Sequence, residues 1–180
     1  GPEEPLVLHD AWRTAPETAA EFEACLVLFF SGVSRESARI IDEQTRNVGA
    51  GSLASVEAMN QLKVSAFEMK QALLKGRIDE VGAILDAGWA HKKRTASTVT
   101  TPELDAIYEA AKNAGAIGGK VSGAGGGGFM MFLVDPRKRR HVVQALEAFP
   151  GSVFATGLTA GGVMSWRVGE DLRKIASLAA

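Results

Sequence analysis

The sequence predicts an α+β domain in which helices pack on one face of an antiparallel sheet. Three observations lead to this class. Short apolar runs alternate with segments of helical periodicity, a glycine-rich loop separates two strand-like runs, and a hairpin signal lies near the C-terminus. With 180 residues, 46% of them hydrophobic, the chain is long enough for one domain with its own core. A net charge of −1 gives no overall field for nucleic acid or an anionic membrane.

The first part of the chain is expected to alternate strands and helices. Leu6–His9 has strand character, and residues 17–24 have helical character. The run Cys25–Phe30 is uniformly apolar and rich in β-formers, which predicts a central strand. Ser34 is placed to cap a helix that reaches about Val48.

Three further helices are expected to supply much of the core. Ser52 is placed to cap one that ends at Gly76, and residues 78–94 form the next. Thr101 followed by Pro102 predicts the start of the third. Apolar residues recur at helical spacing in all three, so we expect them to be buried. These positions are Leu53, Val56, Met59, Leu62, Phe67, Met69, Leu73, Ile78, Val81, Leu85, Trp89, Leu104, Ile107, Tyr108 and Ala111.

The last part of the chain predicts a strand, a helix and a hairpin. Phe129–Val134 has the composition of a buried strand. Asp135 and Pro136 then signal a helix start. Ser152–Leu158 and Val163–Val168 have strand character around a Thr-Ala-Gly-Gly turn, which predicts a terminal hairpin.

The most distinctive stretch is the run of four glycines, Gly125–Gly128, between Ser122 and the strand that begins at Phe129. Glycine has no Cβ atom and adopts positive φ angles without a steric penalty. The N–H groups of such a loop can therefore converge on an anion. We interpret the stretch as strand, phosphate-binding loop and strand.

Three familiar phosphate loops do not match this stretch. A Walker A loop needs Ser or Thr after Gly-Lys, but Val121 follows Lys120. Gly123, Gly125 and Gly128 satisfy the dinucleotide pattern, but a strand follows them where that fold requires a helix. The partner motifs of protein kinases do not occur in the sequence. A flexible linker is the alternative, although the apolar flanks favour a functional loop.

A second candidate anion site lies at the start of the helix capped by Ser34. A helix N-terminus presents free N–H groups, and Arg35 can hold a phosphate through two hydrogen bonds. The alternative is that Ser34 acts only as a cap and that Arg35 pairs with Asp42, Glu43 or another surface group. The residues alone leave both interpretations open.

Other functional classes find less support. The basic clusters His91–Arg94 and Arg137–His141 lie at predicted helix ends, where solvated faces are commoner than nucleic-acid sites. The polar segment Thr95–Thr101 predicts a surface loop. The three histidines are far apart and Cys25 is the only cysteine, so neither a metal site nor an internal disulfide is predicted. No apolar run has the length of a membrane span and the N-terminus is acidic, so we expect a cytoplasmic protein.

Three segments together resemble the GHMP kinases, the family of galactokinase, homoserine kinase and mevalonate kinase. They are Ser34–Gln44, Ala72–Gly76 and Gly118–Phe129, and the resemblance extends from about Phe22 to Val168. It implies a ferredoxin-like fold. The motif P-x-x-x-G-L-G-S-S-A, which these kinases carry in an N-terminal ATP-binding domain, does not occur in the sequence. The chain therefore looks like the C-terminal half of such an enzyme.

The resemblance also implies a reaction. In it, the γ-phosphoryl group of ATP, accompanied by Mg²⁺, is transferred to the anomeric oxygen of D-glycero-D-manno-heptose 7-phosphate, and the product is the 1,7-bisphosphate. Galactose or fucose is the alternative sugar, and a non-catalytic binding module on the same fold is the alternative of another class. Residues 1–180 would be a single C-terminal domain that is inactive without the N-terminal kinase domain. The resemblance leaves open whether the protein forms a homodimer.

The resemblance assigns binding roles but no catalytic residue to this chain. Ser34 and Arg35 would bind the 7-phosphate of the sugar. The residues expected to bind the transferred phosphate or the nucleotide are Lys120, Ser122, Gly123, Ala124, Gly125, Gly126, Gly127 and Gly128.

Overall fold

The computed structural model describes residues 14–33, 37–159 and 165. These residues form six α-helices, four strands and two short 3-10 turns, at Ser97–Val99 and Pro136–Lys138. In chain order the helices and strands are α1 (Pro16–Cys25), β1 (Leu26–Phe30), α2 (Ser37–Gly49), α3 (Leu53–Leu74), α4 (Ile78–Lys93), α5 (Pro102–Asn113), β2 (Ala116–Val121), β3 (Phe129–Val134), α6 (Arg139–Leu146) and β4 (Ser152–Phe154).

The four strands form one antiparallel sheet in the order β2-β3-β1-β4. β1 lies between β3 and β4, which confirms the prediction of a central strand. β4 supplies the first part of the predicted terminal hairpin, and it pairs with β1 through Leu28 and Phe154. The second strand of that hairpin, Val163–Val168, lies outside the described residues except for Ser165. The predicted first strand, Leu6–His9, also lies outside them.

Two hydrophobic clusters cover the two faces of the sheet. The register pairs Val27 with Phe132, and these side chains pack against α5 and α6. The alternate pair, Leu26 and Leu133, points to the other face and packs against α1, the end of α3 and the start of α4. The α+β class and the antiparallel sheet are confirmed, and the helical layer is more extensive than predicted because it also covers part of the second face.

The predicted core positions on α5 are correct. Leu104, Ile107, Tyr108 and Ala111 are all buried. The predicted apolar face of α3 is only partly correct. Met69 and Leu73 pack against the second cluster, but the buried residues of the helix are the small ones Ser55, Ala58 and Ala72, whereas Leu53 is 85% exposed and Phe67 65% exposed. The reason is that α3 packs mainly on α4 and reaches the sheet only at its last turns.

The predicted caps within the described residues are present. The side chain of Ser52 accepts a hydrogen bond from the Ser55 N–H, and Thr101 accepts one from Leu104. Asp135 caps the 3-10 turn that leads into α6. None of the described helices is both long and apolar enough to cross a bilayer.

Candidate phosphate-binding site

The glycine loop joins β2 to β3 and has a backbone that only glycine adopts readily. The loop is closed by a 2.7 Å hydrogen bond from the Ser122 N–H to the Phe129 carbonyl. Positive φ angles occur at Gly123 (74°), Gly125 (118°), Gly126 (72°), Gly127 (147°) and Gly128 (84°). Residues with a Cβ atom rarely adopt such angles, so the run of glycines is a conformational requirement of this turn.

Two of the loop N–H groups bind the surrounding backbone. The Gly126 N–H donates to the Val99 carbonyl at 2.7 Å, and the Gly128 N–H donates to the Val33 carbonyl at 2.6 Å. The loop backbone lies very close to the segment that contains Val99, since a Cβ atom placed on Gly125 would lie 2.5 Å from the Val99 carbonyl oxygen. The loop is therefore held in place on one side by the end of β1 and on the other by the segment before α5.

The other loop N–H groups have no acceptor among the described residues. Within the described part of the chain, the N–H groups of Gly123, Ala124, Gly125 and Gly127 donate to no backbone or side-chain acceptor. The sequence predicted a loop whose N–H groups converge on an anion, but the structure uses two of them for packing. The side chain of Ser122 is exposed at the start of the loop.

The segment that supports the loop is itself held by α2. Thr95 is fully buried, and it receives hydrogen bonds from Gln44 to its hydroxyl (2.7 Å) and from Asn47 to its carbonyl (2.9 Å). The carboxylate of Glu43 accepts from the Ser97 N–H at 2.8 Å, from the Ser97 hydroxyl at 2.9 Å and from the Thr98 hydroxyl. The prediction of a surface loop at Thr95–Thr101 is therefore only partly correct. Ser97 is exposed, but Thr95, Ala96 and Val99 are buried because the segment packs on α2.

Those hydrogen bonds also act on the charge of Glu43. The hydroxyl of Thr98, followed by the backbone N–H of Ser97, stabilises the ionised carboxylate and lowers the pKa of Glu43 below its ordinary value. Glu43 was considered in the sequence only as a surface partner of Arg35. Its contacts with Ser97 and Thr98 join residues more than fifty positions apart, so no local signal could have indicated them.

One of the two basic clusters is more than a solvated helix end. In His91–Arg94, Lys93 forms a 3.2 Å salt bridge with Asp105. Lys92 is half-buried and its ammonium donates a hydrogen bond to the Gly123 carbonyl. Burial, followed by the nearby charge of Lys120, lowers the pKa of Lys92. The sequence identified Lys120 as a site residue but missed Lys92.

A cavity of about 300 Å³ lies between the loop, the end of β1 and the start of α5. Gly126, Thr101, Glu103 and Ser31 are among the residues that line it. The Ser31 hydroxyl donates to the Gly128 carbonyl at 3.0 Å, so it helps to fix the end of the loop. The sequence missed Ser31, whose side chain meets the loop only through the pairing of β1 with β3.

The remaining candidates, Ser34 and Arg35, lie outside the described residues. Val33 immediately precedes them, and its carbonyl accepts the hydrogen bond from Gly128. Of the other predicted site residues, the structure brings Lys120, Ser122 and the glycines together at one end of the sheet. The residues described contain no group of three or more His, Cys, Asp or Glu side chains that could hold a metal ion.

Comparison with known proteins gives consistent results. Residues 69–151 match the family model of the GHMP kinases C terminal domain. The chain is 40% identical over 150 residues to D-glycero-alpha-D-manno-heptose 7-phosphate kinase of Campylobacter jejuni, an alignment that covers 83% of this chain and 44% of that protein. It is 28% identical to L-fucokinase/L-fucose-1-P guanylyltransferase of Bacteroides fragilis, over 67% of this chain and 13% of that protein.

A solved structure shares the fold. A Campylobacter jejuni protein described as a sugar kinase superimposes with a TM-score of 0.60 at 37% identity, over 87% of this chain and 43% of that chain. The present chain thus spans less than half the length of these relatives. Together with the antiparallel sheet and the glycine loop between β2 and β3, the comparisons show that the chain belongs to the GHMP kinase family, of which it contains the C-terminal domain.

Proposed function

We propose that the complete protein is a cytoplasmic, ATP-dependent kinase that phosphorylates the anomeric oxygen of D-glycero-D-manno-heptose 7-phosphate. The observation that carries the proposal is the 40% identity, over 150 residues, to a heptose 7-phosphate kinase. Residues 1–180 would form its C-terminal domain, and an N-terminal domain would hold most of the nucleotide.

The loop geometry supports phosphoryl transfer. The N–H groups of Gly123, Ala124, Gly125 and Gly127, which have no acceptor in the described part of the chain, are suited to hold phosphate oxygens, because fixed donors need no reorganisation as negative charge develops. The exposed hydroxyl of Ser122 adds a donor at the start of the loop. Bound ATP, accompanied by Mg²⁺, supplies the phosphoryl group.

The sugar phosphate requires an anion site of its own. We propose that Ser34 and Arg35 bind its 7-phosphate, because Val33 directly before them contacts the loop at Gly128. We assign no Mg²⁺ ligand to the described residues, since they offer no suitable cluster.

A fucose-type kinase is the second candidate, and the similarity to the Bacteroides fragilis fucokinase favours it. The two candidates differ in whether the sugar already carries a phosphate. A kinase for a free sugar has no need of the positive charge of Arg35, whereas a heptose 7-phosphate kinase does. The identity and the alignment coverage are both higher for the heptose 7-phosphate kinase.

The test is an assay of the complete protein with ATP and a panel of sugars. We expect turnover with D-glycero-D-manno-heptose 7-phosphate, formation of a second phosphorus signal in the ³¹P NMR spectrum of the product, and little turnover with fucose or galactose. Turnover with a free sugar instead would overturn the assignment of the substrate. Absence of turnover with every sugar would favour a non-catalytic module.

The role of the loop is tested by Gly125→Ala in the same protein. The new Cβ atom would lie 2.5 Å from the Val99 carbonyl, so the loop must shift, and we expect kcat to fall by at least about tenfold. Gly51→Ala is the matched control, because Gly51 also has a positive φ (70°) but a Cβ atom there meets no neighbour. If the two variants retained the same kcat, the loop would have no role in the reaction.

A further inference from the structure

We propose that Lys92 and Lys120 form a two-cation site beside Gly123 that binds a phosphoryl group of a substrate. This inference rests on the proposed kinase function and adds a residue, Lys92, from a helix that the sequence gave no reason to include. The site would combine two ammonium groups with the free N–H groups at the start of the loop.

The packing of α4 on β2 brings Lys92 to the loop. The helix and the strand touch through their backbones, since a Cβ atom placed on Gly118 would lie 2.0 Å from the Gly82 carbonyl oxygen. From this contact, Lys92 lies ten residues further along α4, or about 15 Å. β2 extends three residues beyond Gly118, to Val121, or about 10 Å, and Gly123 follows in the turn. The Lys92 ammonium reaches this turn and donates a hydrogen bond to the Gly123 carbonyl, which places Lys92 beside Gly123.

Lys120 lies on the same side of the sheet. Its register partner is Met131, which packs in the hydrophobic cluster that includes Ile84 and Leu85 of α4. Side chains at paired positions point to the same face, so Lys120 projects toward α4. It is half-buried, as is Lys92. The two charges are therefore positioned near each other by a helix, α4, and a strand, β2, and not by a flexible loop.

No carboxylate of the described residues neutralises this pair. Two acidic groups on the adjoining helices already have cationic partners: Asp86 is 3.2 Å from Lys112, and Asp105 is 3.2 Å from Lys93. Tyr108 also donates to Asp86. The Lys92 ammonium has three N–H donors, and the Gly123 carbonyl accepts a hydrogen bond from one of them.

Two half-buried cations without an acidic partner repel each other unless an anion lies between them. The neighbouring N–H groups of Gly123 and Ala124 add donors without charge, and such a combination is typical of phosphate recognition. The phosphoryl group could belong to the nucleotide or to the sugar phosphate. The chemistry of recognition is the same for both.

The direct test measures pyrophosphate binding to the complete protein by calorimetry. We expect Lys92→Met and Lys120→Met each to weaken binding by about tenfold, and Lys92→Arg to retain most of it. Lys93→Met is the matched control, because it removes the same charge from the neighbouring position while Lys93 is paired with Asp105. Melting curves of each variant confirm that the fold is intact. If pyrophosphate binding were unchanged in both Lys92→Met and Lys120→Met, the inference would be wrong.

Steady-state kinetics of the same variants identify the source of the phosphate. A higher KM for ATP assigns the site to the nucleotide, and a higher KM for the sugar phosphate assigns it to the other substrate. An unchanged KM for both, with unchanged pyrophosphate binding, overturns the site while leaving the kinase function in place. Conversely, loss of pyrophosphate binding in a protein that phosphorylates no sugar would support the site and contradict the kinase function.

Discussion

Helices α3 and α5 have similar patterns in the sequence and opposite environments in the structure. Both carry apolar residues at helical spacing, but α5 buries all four of its predicted core residues whereas α3 leaves Leu53 and Phe67 largely exposed. The lengths explain the difference. α5 has 12 residues and lies against β2 and α6, while α3 has 22 residues, or about 33 Å, and exceeds the strands it could cover. Periodicity therefore predicts an apolar face but not what covers it.

The comparison is tested most strongly by removing a phenylalanine from each environment. Phe132 on β3 is fully buried and its ring lies 5.8 Å from that of Tyr108 on α5, so Phe132→Ala should lower the free energy of unfolding by about 3–5 kcal/mol. Phe67→Ala on α3 should lower it by less than about 0.5 kcal/mol, because the side chain is 65% exposed. Urea unfolding monitored by circular dichroism measures both values.

A large effect of Phe67→Ala would break the comparison. It would mean that the outer face of α3 is covered in solution by residues outside the described part of the chain or by another protein chain. The effect of Phe132→Ala provides the reference, since it shows how much a fully buried ring contributes in this fold.

The same contrast explains what the sequence could predict. The central strand, the caps Ser52 and Thr101, and the position of the glycine loop between two strands are predicted correctly because each depends on neighbouring residues. The contacts of Glu43 with Ser97, and of Lys92 with Gly123, were missed because they join distant parts of the chain. They depend on how α2 and α4 pack, for which the sequence carries no local signal.

Substitutions on the two sides of α4 should change the free energy of unfolding by less than Phe132→Ala does. Its β2 side is packed at backbone distance, so the Cβ atom of Gly118→Ala would meet the Gly82 oxygen at 2.0 Å. We expect a loss of about 2–3 kcal/mol in the free energy of unfolding. Gly88→Ala places its Cβ atom on the α3 side, 4.0 Å from Leu62, and should stabilise the helix by up to about 1 kcal/mol.

Changes of opposite sign in the free energy of unfolding of these two Gly→Ala variants, measured in urea, would sharpen the comparison. They would show that one helix has a tightly fitted side toward the sheet and a loosely packed side toward α3. A loss for Gly88→Ala as large as that for Gly118→Ala would instead indicate that the α3 side is packed as tightly as the sheet side.

The smallest expected effect concerns the polar contact between α2 and the segment that supports the loop. Glu43→Gln replaces a carboxylate that accepts from Ser97 and Thr98 with an amide that has only one acceptor oxygen. Because Glu43 lies near the surface, we expect a loss of only about 1 kcal/mol at pH 7. Glu57→Gln is the control, since Glu57 is exposed and, among the described residues, accepts only from Gln61 within α3, so stability should change by less than about 0.5 kcal/mol.

The pH dependence separates a charge effect from a packing effect at Glu43. The folded-state pKa of Glu43 is lowered, so its stabilising contribution is complete above the ordinary carboxyl pKa and is lost as the pH falls through the lowered value. The stability difference between the wild-type protein and Glu43→Gln should therefore shrink as the pH is lowered from 7 to 3 in urea titrations. A difference that stayed constant would mean that the shape of the side chain, and not its charge, holds the segment against α2. In that case Glu43 would resemble Ala58 and Ala72 of α3, whose buried methyl groups contribute by fit alone.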